Sequence, residues 1–330
     1  MSAALVVRAP NWLGDTVMAQ PALAALRAAQ PEASITVVGR WASVLRGQGL
    51  ADALLDYPPP AARRRFARAL AGARPDLALI LPNSFESARA AHGWGARRRA
   101  GFDTDARGFY LTHRVPLPEP RQHQVDEYRL LVEALDMPAP LAEPRLRPPE
   151  EAGAAAEVAA LLGRAGQGNA RPPVGLHLGA AAGPAKRWAA AGWAALADRL
   201  AAENRAPVLL GGPGDAAIAE EVGRLAARPL RSLVGRDRPA LLPHLLARLG
   251  CLVSADTGVA HLAAALGIAT ITLFGPTDPR LTAPRSARAR VLAPGAPCAP
   301  CFRAECPIDH VCMRAIGADA VAAAVREALG

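Results

Sequence analysis

Short apolar runs alternate with alanine-rich stretches of helical length along this chain, in two bouts separated by a proline-rich segment. That rhythm belongs to parallel α/β sheets, because a strand can reach a parallel neighbour only through a long crossover, usually a helix. In the first bout, residues 5–8 read as a strand, 10–14 as a loop, 16–29 as a helix and 34–38 as a second strand. Residues 76–81 read as a further strand that runs into a loop beginning Pro82-Asn83-Ser84. Residues 137–173 are rich in proline, with a short helical piece among them, and read as an interdomain linker. The rhythm then restarts. Residues 174–178, 207–210, 251–254 and 270–274 read as strands, and 188–203, 215–226 and 259–266 as helices. The expectation is an α/β protein with two Rossmann-like doubly wound domains, 1–150 and 151–330. Open sheets of this kind bind ligands beyond the carboxyl ends of their strands, so the expected site is a central cleft that both domains face.

Composition narrows the function. A length of 330 residues suits two domains of ordinary size. With 51% apolar and 20% charged residues the chain is neither disordered nor a charged tail. Aromatics are only 4%, so much of the core must be built from small side chains. Residues 1–10 carry no basic region, and Arg8 ends a short apolar run, which argues against a secretory signal and for a cytoplasmic chain. The longest stretch without a fixed charge, 257–277, is interrupted by His261, Gly267, Gly275 and Pro276, and reads as helix, turn and strand rather than a membrane span. The net charge of +9 is spread as +4 over residues 1–150 and +5 over the rest, which argues against a nucleic-acid-binding arm. Arg63-Arg64-Arg65 and Arg97-Arg98-Arg99 are either solvated faces or contacts to acidic lipid and phosphate groups. Among 38 basic residues there is a single lysine, Lys186.

Four strand ends carry residues suited to chemistry. After the first strand comes Pro10-Asn11-Trp12-Leu13-Gly14-Asp15, where Gly14 permits a tight turn and Asp15 is either a helix cap or a carboxylate free to act as general base. The second half opens with Leu178-Gly179-Ala180-Ala181-Ala182-Gly183-Pro184-Ala185-Lys186-Arg187-Trp188. Its small residues let backbone amides approach an anion, and Lys186 and Arg187 add charge before an expected helix start. A cation there opposes the helix dipole, which favours a phosphate ligand over a purely structural role. Gly211-Gly212-Pro213-Gly214-Asp215 turns into another helix, with Asp215 either a cap or an acceptor for ribose hydroxyls or a base amine. In Ser254-Ala255-Asp256-Thr257-Gly258-Val259-Ala260-His261 a helix begins whose free amides suit a diphosphate. The alternative there is an ordinary cap at Asp256 or Thr257 with His261 in the core.

Two further patterns are weaker. Asp103-Thr104-Asp105 spells a tripeptide that elsewhere holds a divalent ion, yet its surroundings read as a solvated loop. Cys298, Cys301, Cys306 and Cys312, with His310 nearby, leave zinc, disulfides and ordinary thiols open; Cys251 reads as core.

Taken in order, four segments resemble the lipopolysaccharide heptosyltransferases, glycosyltransferase family 9. They are Pro10-Asn11-Trp12-Leu13-Gly14-Asp15, Leu81-Pro82-Asn83-Ser84-Phe85-Glu86-Ser87-Ala88, Gly183-Pro184-Ala185-Lys186-Arg187-Trp188 and Asp256-Thr257-Gly258-Val259-Ala260-His261. The likeness covers nearly the whole chain, and the second and third segments favour the type II branch. It implies a GT-B fold, with an acceptor held mainly by the first domain and ADP-L-glycero-β-D-manno-heptose mainly by the second. The implied acceptor is the lipopolysaccharide inner core, carrying Kdo and a first heptose on lipid A. The implied location is peripheral, on the inner face of the cytoplasmic membrane, with no nucleic acid bound.

By the same resemblance Asp15 is the general base of a single inverting displacement, and Lys186 neutralises the departing ADP. Donor contacts fall to Gly179, Ala180, Ala181, Ala182, Arg187, Gly212, Asp215, Asp256, Thr257, Gly258, Val259 and His261. Acceptor contacts fall to Asn11, Trp12, Gly14, Asn83 and Ser84. Some relatives have hydroxyl side chains where this chain has Ala180-Ala181-Ala182, so phosphate contacts there must come from backbone. No metal or other cofactor is implied, since fixed cations and helix ends can take a metal's place. The alternatives are a related transferase with another nucleotide sugar or acceptor, and a binding protein that kept the fold but lost catalysis. Retention of both Asp15 and Lys186 counts against the second, and the missing GxGxxG after the first strand counts against an oxidoreductase.

Overall fold

The computed structural model describes residues 3–163, 171–236 and 239–330, divided between one unit of Met1–Leu146 and another of Arg147–Gly330. In the first unit the elements run β1 (Ala4–Arg8), α1 (Leu13–Met18), α2 (Gln20–Ala29), β2 (Ser34–Val38), β3 (Ala53–Leu55), α3 (Arg63–Gly72), β4 (Leu77–Ile80), α4 (Phe85–Gly93), β5 (Arg98–Phe102), β6 (His113–Val115) and α5 (Gln124–Glu133). In the second they run α6 (Ala154–Leu162), β7 (Val174–His177), α7 (Ala190–Ala202), β8 (Pro207–Leu210), α8 (Ala216–Leu225), β9 (Arg231–Ser232), α9 (Leu242–Leu246), β10 (Cys251–Ala255), α10 (Gly258–Ala265), β11 (Ala269–Leu273), α11 (Pro279–Thr282), β12 (Ala289–Leu292), α12 (Val311–Arg314) and α13 (Ala318–Leu329).

The central strands β4, β7, β10 and β11 are buried at every residue, as a sheet covered by helices on both faces requires. All pairings are parallel. The strand orders are β3-β2-β1-β4-β5-β6 and β12-β11-β10-β7-β8-β9, the same winding twice. Each order reverses at one place, between β1 and β4 in the first unit and between β7 and β10 in the second. The crossovers leave in opposite directions there, opening a crevice beyond the strand ends where doubly wound folds take ligands.

The cores confirm the reading from composition. In the second unit Ala190, Ala194, Ala197, Ala219, Ala269, Ala322 and Ala324 fill the spaces between helices and sheet, around Trp188 and Trp193 packed edge to face at 4.9 Å. In the first, Trp94 and the partly buried Phe66 and Tyr57 gather against Ala78, Ala88 and Ala91.

Three details differ from expectation. The helix expected over 16–29 is two helices: Pro21 has no N–H to give the Val17 carbonyl, so α1 ends at Met18 and α2 restarts with Pro21 in its first turn. The helix expected from 188 begins at Ala190, because Trp188 turns into the core and its indole N–H donates to the Ile316 carbonyl at 3.0 Å. Within 137–173, residues 137–150 have no regular structure and α6 is the helical piece; residues 164–170 of that expected linker lie outside the described residues. Among the described residues no helix is long and apolar enough to cross a membrane.

Candidate active site

In the first unit the loop after β1 brings Asn11 and Trp12 to the surface, whereas Gly14, expected in a tight turn, is the buried second residue of α1, because the helix already starts at Leu13. Trp12, in extended conformation, is the N-cap of α1, with no side-chain cap bond, so Asp15 is the third helical residue and not the cap. Asp15 is the acidic residue in the first turn of α1, beside the free amides there. It also acts on Tyr128 of α5, whose phenol is held well above its ordinary pKa by burial first and by the Asp15 charge second.

The loop after β4 carries Asn83 and Ser84. Ser84 is the N-cap of α4, and its hydroxyl accepts the Ser87 N–H at 3.3 Å, so that side chain serves the helix. The Asn83 amide oxygen is buried and lacks a hydrogen-bond partner. The Asp103-Thr104-Asp105 turn is tied to this loop: Asp105 accepts the Phe85 N–H at 2.7 Å, and the Thr104 hydroxyl donates to the Asn83 carbonyl at 3.1 Å.

Sequence reasoning missed the two buried arginines that hold these loops. Arg8, at the end of β1, donates to its neighbour's carbonyl at Ala9 and to the Asn11 side chain at 2.7 Å, and its guanidinium lies 3.9 Å from the Tyr57 ring centre. Burial lowers its pKa. The Tyr57 hydroxyl donates to Glu86, which also receives Arg63 at 3.1 Å; burial and that hydrogen bond push the phenol up to about 12. Arg107, fully buried, donates to the carbonyls of Phe102 (2.9 Å), Pro82 and Ser84 (3.2 Å) and to the Ser87 hydroxyl (3.0 Å). Desolvation brings its pKa down to about 10, still charged near neutrality. The available signal was a charged residue closing an apolar strand at Arg8; nothing local marks Arg107.

In the second unit the loops after β7 and β10, which flank the reversal point, meet. Pro184–Lys186 forms a single 3₁₀ turn, and Lys186 Nζ lies 2.5 Å from Asp256 Oδ2 and 3.4 Å from the Asp256 carbonyl. Thr277, just after β11, donates its hydroxyl to the same Asp256 oxygen at 2.8 Å. Both side chains of the ion pair are largely buried, 18% and 8% exposed. Lys186 therefore answers to Asp256, and the dipole argument made for it does not apply, since α7 begins four residues later.

Thr257 is the N-cap of α10, with no side-chain cap bond; its hydroxyl shares a hydrogen bond with Ser254 at 2.9 Å. Asp256 is consequently not the cap. The first-turn amides of Gly258 and Val259 open the helix beyond it, and His261 is buried within α10. Gly179 and Ala180 are buried, whereas Ala181 and Ala182 are exposed. A Cβ at Gly179 would stand 2.6 Å from Asp215 Oδ2, so only glycine lets this carboxylate pack beneath the loop. Asp215 stands at the N-cap position of α8 but makes no side-chain cap bond there; its carboxylate instead accepts the Gly212 N–H at 2.9 Å, across the 3₁₀ turn Pro213–Asp215. Arg187 Nη2 is 3.9 Å from Asp215, so the adjacent cations Lys186 and Arg187 serve different carboxylates. His177, at the end of β7, is buried with its Nδ1 unpartnered, and desolvation lowers its pKa to about 4.

All five cysteines are free thiols, and no group of three or more His, Cys, Asp or Glu among the described residues is arranged to hold a metal ion.

Comparison with known proteins gives one answer by sequence and structure. The family model of glycosyltransferase family 9 (heptosyltransferase) matches residues 63–312. Lipopolysaccharide heptosyltransferase 2 of Escherichia coli is 31% identical over 311 residues, 87% of each chain. The solved structure of E. coli ADP-heptose LPS heptosyltransferase II superposes with a TM-score of 0.83 at 27% identity, covering 100% of this chain and 98% of that one. A glycosyltransferase family 9 protein from Veillonella parvula superposes with a TM-score of 0.85 at 21% identity, covering 99% and 97%, a likeness of fold. The fold class is thus α/β of the GT-B kind, with two doubly wound Rossmann-like sheets.

Proposed function

The chain belongs to glycosyltransferase family 9, the heptosyltransferases, and from that membership we propose that it transfers L-glycero-D-manno-heptose from ADP-heptose to the first heptose of the lipopolysaccharide inner core. The observation that carries the donor side is the Lys186–Asp256–Thr277 bridge across the reversal point of the second sheet, beside the unsealed start of α10. A diphosphate entering there meets the Lys186 ammonium and the amides of Thr257, Gly258 and Val259. Charge that builds on departing ADP is then balanced by groups already in place. Ala181 and Ala182 offer backbone amides from an exposed loop, Asp215 with Gly212 and Arg187 stands toward the adenosine end, and His261 supports the helix from within.

On the acceptor side, Asp15 takes the proton from the acceptor hydroxyl as that oxygen attacks the anomeric carbon. The C–O bond to ADP breaks in the same displacement, with inversion. Asn11, Trp12, Asn83 and Ser84 stand on the acceptor-facing loops and Gly14 in the first turn of α1, with Ser84 contributing through α4 rather than its hydroxyl. On this reading the chain sits peripherally on the inner face of the cytoplasmic membrane; a lipid-linked acceptor and exposed arginines such as Arg64, Arg65 and Arg68 on α3 support it.

A transfer assay with ADP-heptose and truncated core acceptors tests the proposal. Transfer is expected to an acceptor that carries one heptose and not to one that carries none; the opposite preference, or transfer only from another nucleotide sugar, would discard it.

A further inference from the structure

The four cysteines near the C-terminus are a sequence motif that transfer chemistry leaves unused, and the loop that bears them is attached to the donor-side machinery by its backbone. The N–H groups of Cys301 and Phe302 both donate to the Pro276 carbonyl, at 3.0 and 2.8 Å. The next residue, Thr277, holds Asp256. On its other side the same loop offers the Ala304 carbonyl to the Ala185 N–H at 3.0 Å, directly ahead of Lys186. Residues 301–304 therefore grip both turns that meet at the Lys186–Asp256 pair. Gly183 makes the approach possible: its φ is 138°, and a Cβ there would collide with the Ala304 backbone.

We infer that residues 301–304 are a positioning element of the donor site, setting where Lys186 and Asp256 stand against the diphosphate. The inference rests on the transferase reading above. A single 3₁₀ turn has too few internal hydrogen bonds to hold a cation in place by itself. Lys186 sits on such a turn, and bonds from outside it supply the constraint. The thiols are bystanders in this role: Cys298 and Cys301 are exposed, and Cys312 is packed under Gly275 and Met313.

Titration calorimetry with ADP on the full chain separates this role from general support of the fold. Gly183→Ala is expected to weaken ADP binding about tenfold when Lys186 is present, and less than about twofold in a Lys186→Ala background, since the loop acts through that side chain. Equal weakening in both backgrounds, or none in either, overturns the inference. If Gly183→Ala does not fold, Cys301→Pro removes one N–H to Pro276 from the far side, while Cys301→Ser keeps it. The proline variant should bind ADP more weakly and the serine variant like wild type, and equal affinity in all three also overturns it. A wild-type chain that binds no ADP would instead sink the donor reading on which this one rests.

Discussion

Asp15 and Lys186 were both legible as residue types at strand ends, but the surroundings of each were not. For Asp15 the cap reading turned on where α1 begins, and with Trp12 at the N-cap Asp15 falls inside the first turn. With the capping role gone, Asp15→Asn is expected to lower kcat by about 10²- to 10⁴-fold, the span of general-base catalysis, with ADP affinity within about twofold of wild type. Substantial turnover in that variant, measured by heptose release to acceptor, would remove the assignment. For Lys186 the sequence pointed to a cation just before a helix start, suited to a phosphate. The structure pairs it with Asp256 through a contact 70 positions away, which no local pattern could supply. His177 was passed over entirely. Its pKa of about 4 lies below the ordinary 6.5, so the unfolded chain binds the extra proton and stability falls as pH drops from about 6.5 toward 4. This group should cost about 2 kcal/mol between pH 7.5 and pH 5. Urea unfolding at the two pH values should show that slope reduced in His177→Gln; an unchanged slope contradicts the burial argument.

At the scale of elements, strand and helix ranges in the second half were read within about two residues, because fully buried parallel strands are continuous apolar runs that stand out from alanine-rich helices. Among the elements not read, β3, β6 and β9 are two or three residues long, β5 opens on two arginines and α3 is dense in charge; α4, α5, β12 and the 12-residue α13 were also left unread, although α5 and α13 are of full helical length. The loop Pro82-Asn83-Ser84 was legible as a loop but not as an anchored one, since its anchor, Arg107, lies more than twenty positions on. Arg107→Met would strand the Phe102, Pro82 and Ser84 carbonyls and is expected to cost on the order of 3 kcal/mol, with Arg107→Lys intermediate because the charge stays and the fork is lost. Urea unfolding checks the stability. In the lysine variant the acceptor KM should rise more than the donor KM, and equal rises would mean that the anchor does not act on the acceptor loop.

For the whole molecule, the repeated winding has a consequence that can be measured. If the second unit's reversal point takes the nucleotide of ADP-heptose, saturating ADP should raise the thermal midpoint, by an amount equivalent to roughly 2.7 kcal/mol at a hundred times Kd. UDP should do markedly less, and a UDP preference in the same thermal-shift measurement would redirect the donor assignment to another nucleotide sugar. The sequence by itself determined the class of architecture, the two bouts of strand and helix, and the residue types waiting at four strand ends, because burial periodicity and turn chemistry are local properties written over a few consecutive residues. Only the tertiary structure decided which of those residues meet. The partnership of Lys186 with Asp256 and Thr277, the burial of Arg8 and Arg107 beneath the loops after β1 and β4, and the seat of the cysteine loop against Pro276 and Ala185 all depend on strand order. Strand order brings together segments far apart in the chain, and it is set by the packing of whole sheets rather than by any stretch of sequence.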